Sequence, residues 1–340
     1  MKKNITISEI AREAGVSKST VSRVLNNKPD VLPETKERVR KIVRKYNFQP
    51  SAYAKGIYSK HTNMIGLVIP HGVDWTLKNH YYAEIQRGIL HITQDRGYHV
   101  LLMYGRDLQE AVNAVMQKRV DGVLMVSPME ENKKYIDQIV KSGTPLVTIG
   151  KVDFCPDVVQ YCTNNYRGAC LAVEHLQSLG HKRIGYINGP LFLPSSRERL
   201  RGYLDTMAAN GCEVEDDMIV EGRNSLESGR FSVKKIFDAH PDTTAFFVAS
   251  DYMAIGALEQ IRLMGKRVPE DISLVGFDNI PISGEVTPAL TTIDQQVYEK
   301  GKIGADMLLD MIENKNIAME KNREIACSLL VRGSTGWAKK

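Results

Sequence analysis

The chain has 340 residues, 43% of them hydrophobic and 25% charged, with a net charge of +5. That length exceeds one typical domain and can bury a substantial core, and no apolar run reaches the roughly 18 residues of a membrane-spanning helix. The opening Met1-Lys2-Lys3-Asn4 leads into a polar, periodic segment and not an apolar signal core, so a cytoplasmic protein is expected, with no membrane partner.

Charge is uneven along the chain. Residues 1–62 carry 14 Lys/Arg against 5 Asp/Glu, while the remainder has 31 against 35. A basic head on a mildly acidic body is the electrostatic footprint of a polyanion binder, because phosphate contacts supply most non-specific DNA affinity. The five cysteines, Cys155, Cys162, Cys170, Cys212 and Cys327, lack CxxC pairs and nearby His clusters, and read as packing or surface thiols.

In chain order, Thr6-Ile7-Ser8-Glu9 has the spacing of a capping box and starts a first helix, with Ile7, Ile10, Ala11 and Ala14 on one face and Gly15 placed to end it. Ser17 caps a second helix in which Val21, Val24 and Leu25 face inward. Lys18, Ser19, Ser22 and Arg23 then share the outer side, which offers donors without bulk and suits a DNA major groove. Two helices joined by a Gly-containing turn form a helix-turn-helix. A third helix follows Pro33, with Val39, Ile42, Val43 and Tyr46 completing a small core. Residues 51–61 are too short and glycine-weakened for a stable isolated helix. They read either as a hinge that folds on DNA, with Ile57 as a minor-groove wedge, or as a plain linker.

From Met64 onward, short apolar runs alternate with amphipathic stretches. Strands are expected at Met64 to Pro70, His99 to Tyr104, Val120 to Ser127 and Pro145 to Gly150, all read as buried, with helices near 81–96, 109–118 and 132–142. A second series runs Arg183 to Asn188, Met218 to Glu221, Ala245 to Ser250 and Ile272 to Phe277, with helices near 166–179, 195–210, 226–239 and 252–264. The fold class is α/β: an N-terminal all-α head and a two-lobed body with parallel sheets, whose post-strand loops line a cleft. No metal-ligand set, nucleophile elbow or phosphate loop stands out, so neither enzymatic chemistry nor a cofactor is expected. His181, in a loop before a strand, is given a structural role.

The runs Thr6-Ile7, Ile10-Ala11, Ala14 to Ser17, Thr20 to Asn26 and the Pro50 hinge resemble the head of the lac repressor family of bacterial transcription regulators. The resemblance implies that Lys18, Ser19 and Arg23 read bases, that Thr6, Ser17, Thr20, Ser22 and Asn26 belong to the DNA contact set, and that Ala54 and Ile57 enter the minor groove. Leu32 stands where the family usually has a Ser cap, a change expected to weaken the third helix start by at most about 1 kcal/mol. The body is similar to the family's periplasmic-binding-protein-like module through Tyr82 to Ile85, Val120-Asp121-Gly122, Ser250-Asp251 and Val275 to Asp278. This implies an effector site of Tyr82, Arg197, Asn224, Ser250 and Asp278, with Arg197 as the ligand arginine and Asp278 accepting ligand hydroxyls. A surface Arg197 and a merely loop-capping Asp278 are the other readings. Arg223-Asn224, where many relatives place an aromatic, implies a more polar or charged effector, and the runs 147–151 and 197–200 look more like the maltose-type regulators than the purine or ribose types.

The expected organisation is therefore a DNA-binding domain at 1–50, a hinge at 51–61 and an effector-binding and dimerisation domain at 62–340. Lobe 1 is expected near 62–162 and 292–325, and lobe 2 near 163–291 and 326–340. The expected partners are operator DNA, a sugar-like effector and a second copy, the five residues after Thr335 being too few for a tetramerisation tail. A corepressor, a partner protein of the catabolite-control kind, or a non-sugar effector is the alternative.

Overall fold

The computed structural model describes residues 5–25, 29–48, 61–314 and 320–339. The chain divides into two compact units, Met1–Thr62 and Asn63–Lys340.

In the first unit, α1 (Ile7–Ala14), α2 (Lys18–Leu25) and α3 (Pro33–Lys45) enclose a core of Ile10, Ala11, Ala14, Val21, Val24, Val39 and Ile42. The capping box forms: the Thr6 backbone N–H donates to Glu9 Oε2 at 2.8 Å, and the Glu9 N–H donates back to Thr6 Oγ1 at 3.3 Å. Gly15 ends α1 at φ 65°, a left-handed position that a side chain would strain. Leu32 precedes α3 without a side-chain cap, and Pro33 in the first turn, which needs no N–H there, sets the helix start.

The second unit contains two six-stranded sheets among the described residues. Sheet one has the order β2-β1-β3-β4-β5-β11, from β1 (Met64–Ile69), β2 (His99–Tyr104), β3 (Gly122–Val126), β4 (Leu146–Ile149), β5 (Val159–Thr163) and β11 (Asn322–Ile325), all parallel. Sheet two has the order β7-β6-β8-β9-β10-β12, from β6 (Ile184–Asn188), β7 (Ile219–Glu221), β8 (Ala245–Val248), β9 (Ser273–Asp278), β10 (Thr291–Asp294) and β12 (Ser328–Leu330). Only the β10–β12 pairing is antiparallel. Central strands are buried along their whole length, as parallel strands covered on both faces must be. β2 departs from the buried reading: it lies at the sheet edge, and Leu102 is 45% exposed.

The chain passes between the sheets three times, after Thr163, after Asp294 and after Ile325. The second passage corrects the expected lobe boundary at 292, because Thr291–Asp294 is hydrogen-bonded between β9 and β12 and belongs to sheet two. Sheet one is covered by α4 (Val73–Lys78), α5 (His80–Asp95), α6 (Gln109–Met116), α7 (Lys133–Lys141) and α12 (Val297–Glu313). Sheet two is covered by α8 (Asn165–Ser178), α9 (Pro194–Ala209), α10 (Leu226–Ala239) and α11 (Asp251–Leu263). The short α4, the strands β5, β10, β11 and β12, and helix α12 were not anticipated from the sequence.

Two helix pairs touch backbone to backbone through a glycine on each helix. A Cβ at Gly88 would overlap the Tyr298 carbonyl oxygen and one at Gly301 that of Ile85, which welds α5 to α12. Gly229 and Gly256 stand in the same relation to Met253 and Leu226 between α10 and α11. Because packed backbones cannot yield as side chains do, Gly256→Ala is expected to destabilise the full-length protein by about 1–3 kcal/mol, read as a lower urea midpoint with an unchanged slope.

Candidate functional site

In both sheets the strand order reverses beside the first strand of the lobe, between β1 and β3 and between β6 and β8. Loops leaving carboxyl ends on either side of such a switch point diverge and leave a crevice. The structure places a polar cleft there, lined from both lobes by Asn79, Tyr82, Ser127, Lys151 and Thr163 on one side and Asn165, Arg199, Asn224, Ser250 and Asp278 on the other. Gln295, in the second passage between lobes, and Lys300 of α12 complete the inner wall. Ser127 (φ 53°), Asn224 (φ 51°) and Asp278 (φ 123°) are held in the left-handed region, a conformation that costs energy and is retained where it aims a side chain.

Four of the five sequence-derived residues, Tyr82, Asn224, Ser250 and Asp278, meet in this cleft. Tyr82 is 2% exposed, and burial pushes its phenol far above the usual tyrosine range. Ser250 caps α11 by accepting from the Met253 N–H at 3.3 Å.

Arg197 is the correction. It lies on the exposed side of α9 and donates to the Leu191 carbonyl at 2.9 Å, away from the cleft. Arg199 takes its place, because the buried face of α9 runs through Ser196, Arg199, Tyr203 and Thr206 at helical spacing, a periodicity visible in the sequence. Arg199 Nε donates to Asn165 Oδ1 at 2.9 Å, and Nη1 donates to the Ala249 carbonyl and lies 3.8 Å from Asp278 Oδ1. Its guanidinium carbon sits 3.6 Å from the centre of the Phe277 ring. Asp278 also accepts from Gln295 Nε2. Burial raises the Asp278 carboxyl above the ordinary range against the pull of Arg199. Asp251, buried behind it, is raised by the same desolvation and by the neighbouring Asp278 charge.

Across the cleft, Lys151 Nζ donates to Glu198 Oε1 at 2.7 Å, and Trp75 Nε1 donates to the Arg223 carbonyl at 3.2 Å, so each lobe holds the other by a polar contact. Trp75 packs 4.4 Å from the His71 ring and 5.3 Å from the Tyr82 ring, an aromatic group on the lobe opposite Arg223 and Asn224. His181 has the structural role expected of it, bonded to Thr244 Oγ1, Ser273 Oγ and the Gly336 carbonyl at 2.9–3.0 Å.

In the head, Lys18, Ser19 and Arg23 are exposed on α2, with Thr20 and Ser22 half-buried beside them. Ser17 Oγ accepts from the Thr20 N–H at 3.1 Å, the cap that starts the helix. Thr6 is occupied in the α1 capping box, and Arg23 Nη1 is 3.3 Å from Asp30 Oδ2 in an exposed pair that a phosphate or base could displace at little cost. Asn26, Ala54 and Ile57, with most of the proposed hinge, lie outside the described residues.

Residues 6–51 match the model for bacterial regulatory proteins of the lacI family, and residues 173–335 match a periplasmic binding protein-like domain. Catabolite control protein A of Priestia megaterium is 31% identical over 92% of this chain and 94% of its own length. The ribose operon repressor of Halalkalibacterium halodurans is 32% identical, covering 97% of each chain. Among solved structures, the lac repressor dimer bound to operator and the anti-inducer ONPF superimposes with a TM-score of 0.86 at 29% identity, over 98% of this chain and 100% of that one. A helix-turn-helix head on a two-lobed binding-protein body defines a DNA-binding transcription regulator. The chain belongs to the lacI family of bacterial regulatory proteins.

His71, packed against Trp75 and Tyr82, carries a pH signature. Its Nε2 is buried without a partner, and desolvation pushes the imidazole down to about 4, a hydrogen bond to the Ser127 backbone opposing this only in part. A depressed folded-state value means that the unfolded chain takes up a proton first, so stability present above about pH 6.5 is lost as pH falls toward 4. His71→Gln is expected to remove roughly 2–3 kcal/mol of that acid-side loss, measured as the difference from wild type in urea midpoints at pH 7 and pH 4.5.

Proposed function

We propose that this protein is a cytoplasmic, homodimeric repressor that binds a palindromic operator through α2 and releases it when a small sugar-like molecule occupies the cleft. The observation that carries the ligand reading is the Arg199–Asp278 pair. It is a buried donor fork beside a buried acceptor, 3.8 Å apart, with Tyr82 as an apolar platform and Asn224 and Ser250 beside them. That set matches a polyol, which offers hydroxyls to both charges and C–H faces to an aromatic ring. α-Glucosides, the ligands suggested by the maltose-type resemblance, are the first to try.

Release follows if the ligand prefers one arrangement of the lobes, and it can be no stronger than that difference in affinity. Lys151–Glu198 and Trp75–Arg223 join the lobes at the cleft, so a change in lobe arrangement would act on these contacts first.

Operator sequences selected in vitro from random DNA are expected to be palindromic. Arg23→Ala should weaken binding to them by about 1–3 kcal/mol, with little effect on random DNA, as measured by fluorescence anisotropy. A panel of α-glucosides, other neutral sugars, sugar phosphates, sugar acids and nucleobases is expected to yield at least one ligand that raises the melting temperature of the full-length protein and lowers operator affinity. Arg199→Ala should abolish the rise. No shift with any of these ligands would overturn the small-molecule reading in favour of a protein partner.

A further inference from the structure

The cleft carries a charge surplus with a definite address. Of the charged side chains lining it, Lys151, Arg199 and Lys300 are cations and Asp278 is the lone carboxylate. Lys151 is answered by Glu198 and Arg199 by Asp278. Lys300 is 4% exposed, and its ammonium donates to Thr163 Oγ1 at 2.8 Å and Gln295 Oε1 at 2.6 Å, both neutral, with the Tyr81 ring centre 5.3 Å away. Among the described residues no carboxylate forms an ion pair with it.

Its own helix face is otherwise apolar. The buried face of α12 runs Val297, Lys300, Gly301, Gly304, Ala305 and Leu308, and a leucine or methionine at 300 would satisfy it. A lysine buried among neutral partners is a net cost to folding, because lysine is almost never fully buried unless paired. Gln295 holds it in place, accepting from Lys300 and from Thr163 Oγ1 while its amide donates to Asp278. The polyol end of the cleft and the ammonium end are thus linked by one side chain.

We infer that the ligand of this cleft is a sugar acid, whose carboxylate seats on Lys300 while its hydroxyls meet Arg199 and Asp278. A single negative charge cancels the single surplus cation, whereas a neutral sugar leaves it unanswered and a phosphate dianion overshoots it. The inference rests on the effector-cleft reading proposed above.

The test is calorimetric titration of the full-length protein with matched pairs: D-glucuronate against D-glucose and D-galacturonate against D-galactose, with D-glucose 6-phosphate as the dianionic arm. At least one acid is expected to bind about 10- to 100-fold more tightly than its neutral parent and more tightly than the phosphate, as a charge-assisted hydrogen bond implies. Lys300→Met should bring the acid down to the affinity of the neutral sugar. A neutral sugar bound as tightly as its acid would overturn the inference while leaving the sugar-effector reading in place, and the wild-type comparison decides this even if the variant fails to fold. Tighter binding of the phosphate, or a folded Lys300→Met that keeps the acid's full affinity, would also overturn it. Binding of none of the five would remove the inference and, with the wider panel, the reading beneath it.

Discussion

Buried charge governs the centre of the body. Arg199, Asp278 and Lys300 are each removed from water, and each is tolerable only while its partners are held within hydrogen-bond reach. Those partners come from both lobes: Asn165 from α8, the Ala249 carbonyl after β8, Thr163 at the end of β5 and Gln295 between β10 and α12. Two of the three chain passages between lobes, at Thr163 and Asp294, adjoin this network. The same groups that orient a ligand therefore also fix where the lobes join, which makes the site a natural point at which binding energy bears on lobe arrangement.

Much of the architecture was legible because parallel strands announce themselves as apolar runs. The eight body strands read from sequence all occur, and helices such as α10 begin and end where their caps place them. The missing elements lack that signal. β11 (Asn-Arg-Glu-Ile) and β12 (Ser-Leu-Leu) are short, half-polar edge strands that exist because distant β5 and β10 offer open edges. β10 carries two threonines that are buried by their neighbours and not by composition, and ends on a half-buried aspartate. The expectation of burial fails for β2, since an apolar run does not say whether a strand is central or at an edge.

The cleft was legible in kind and wrong in one important detail. The family resemblance pointed to Tyr82, Ser250 and Asp278, but choosing between Arg197 and Arg199 required the register of α9, and the neighbouring buried Ser196 and Tyr203 hold that information. Lys300 had no local signal at all, being one more lysine in a helix of mixed composition until its face is known. Several features here oppose stability: the orphaned His71 nitrogen, the left-handed Ser127 and Asp278, and the unanswered ammonium. Such concentrations of local cost mark sites kept for what they bind.

The threefold passage of the chain also bears on how such a protein is made and how it can be recombined. Sheet one lacks β11 and its covering helix α12 until residues 297–325 have been synthesised, by which point the strands β6 to β10 of sheet two already exist. A nascent first lobe therefore waits, one edge open and one face only partly covered, for a stretch of sequence well over a hundred residues downstream of β5, the kind of long-range closure that slows folding and exposes intermediates to aggregation. By the same token neither lobe is a cassette. Exchanging one for a relative's lobe takes three splice points, two of them beside Thr163 and Gln295, so ligand preference in this body is more readily altered by substitution within the cleft than by shuffling of halves.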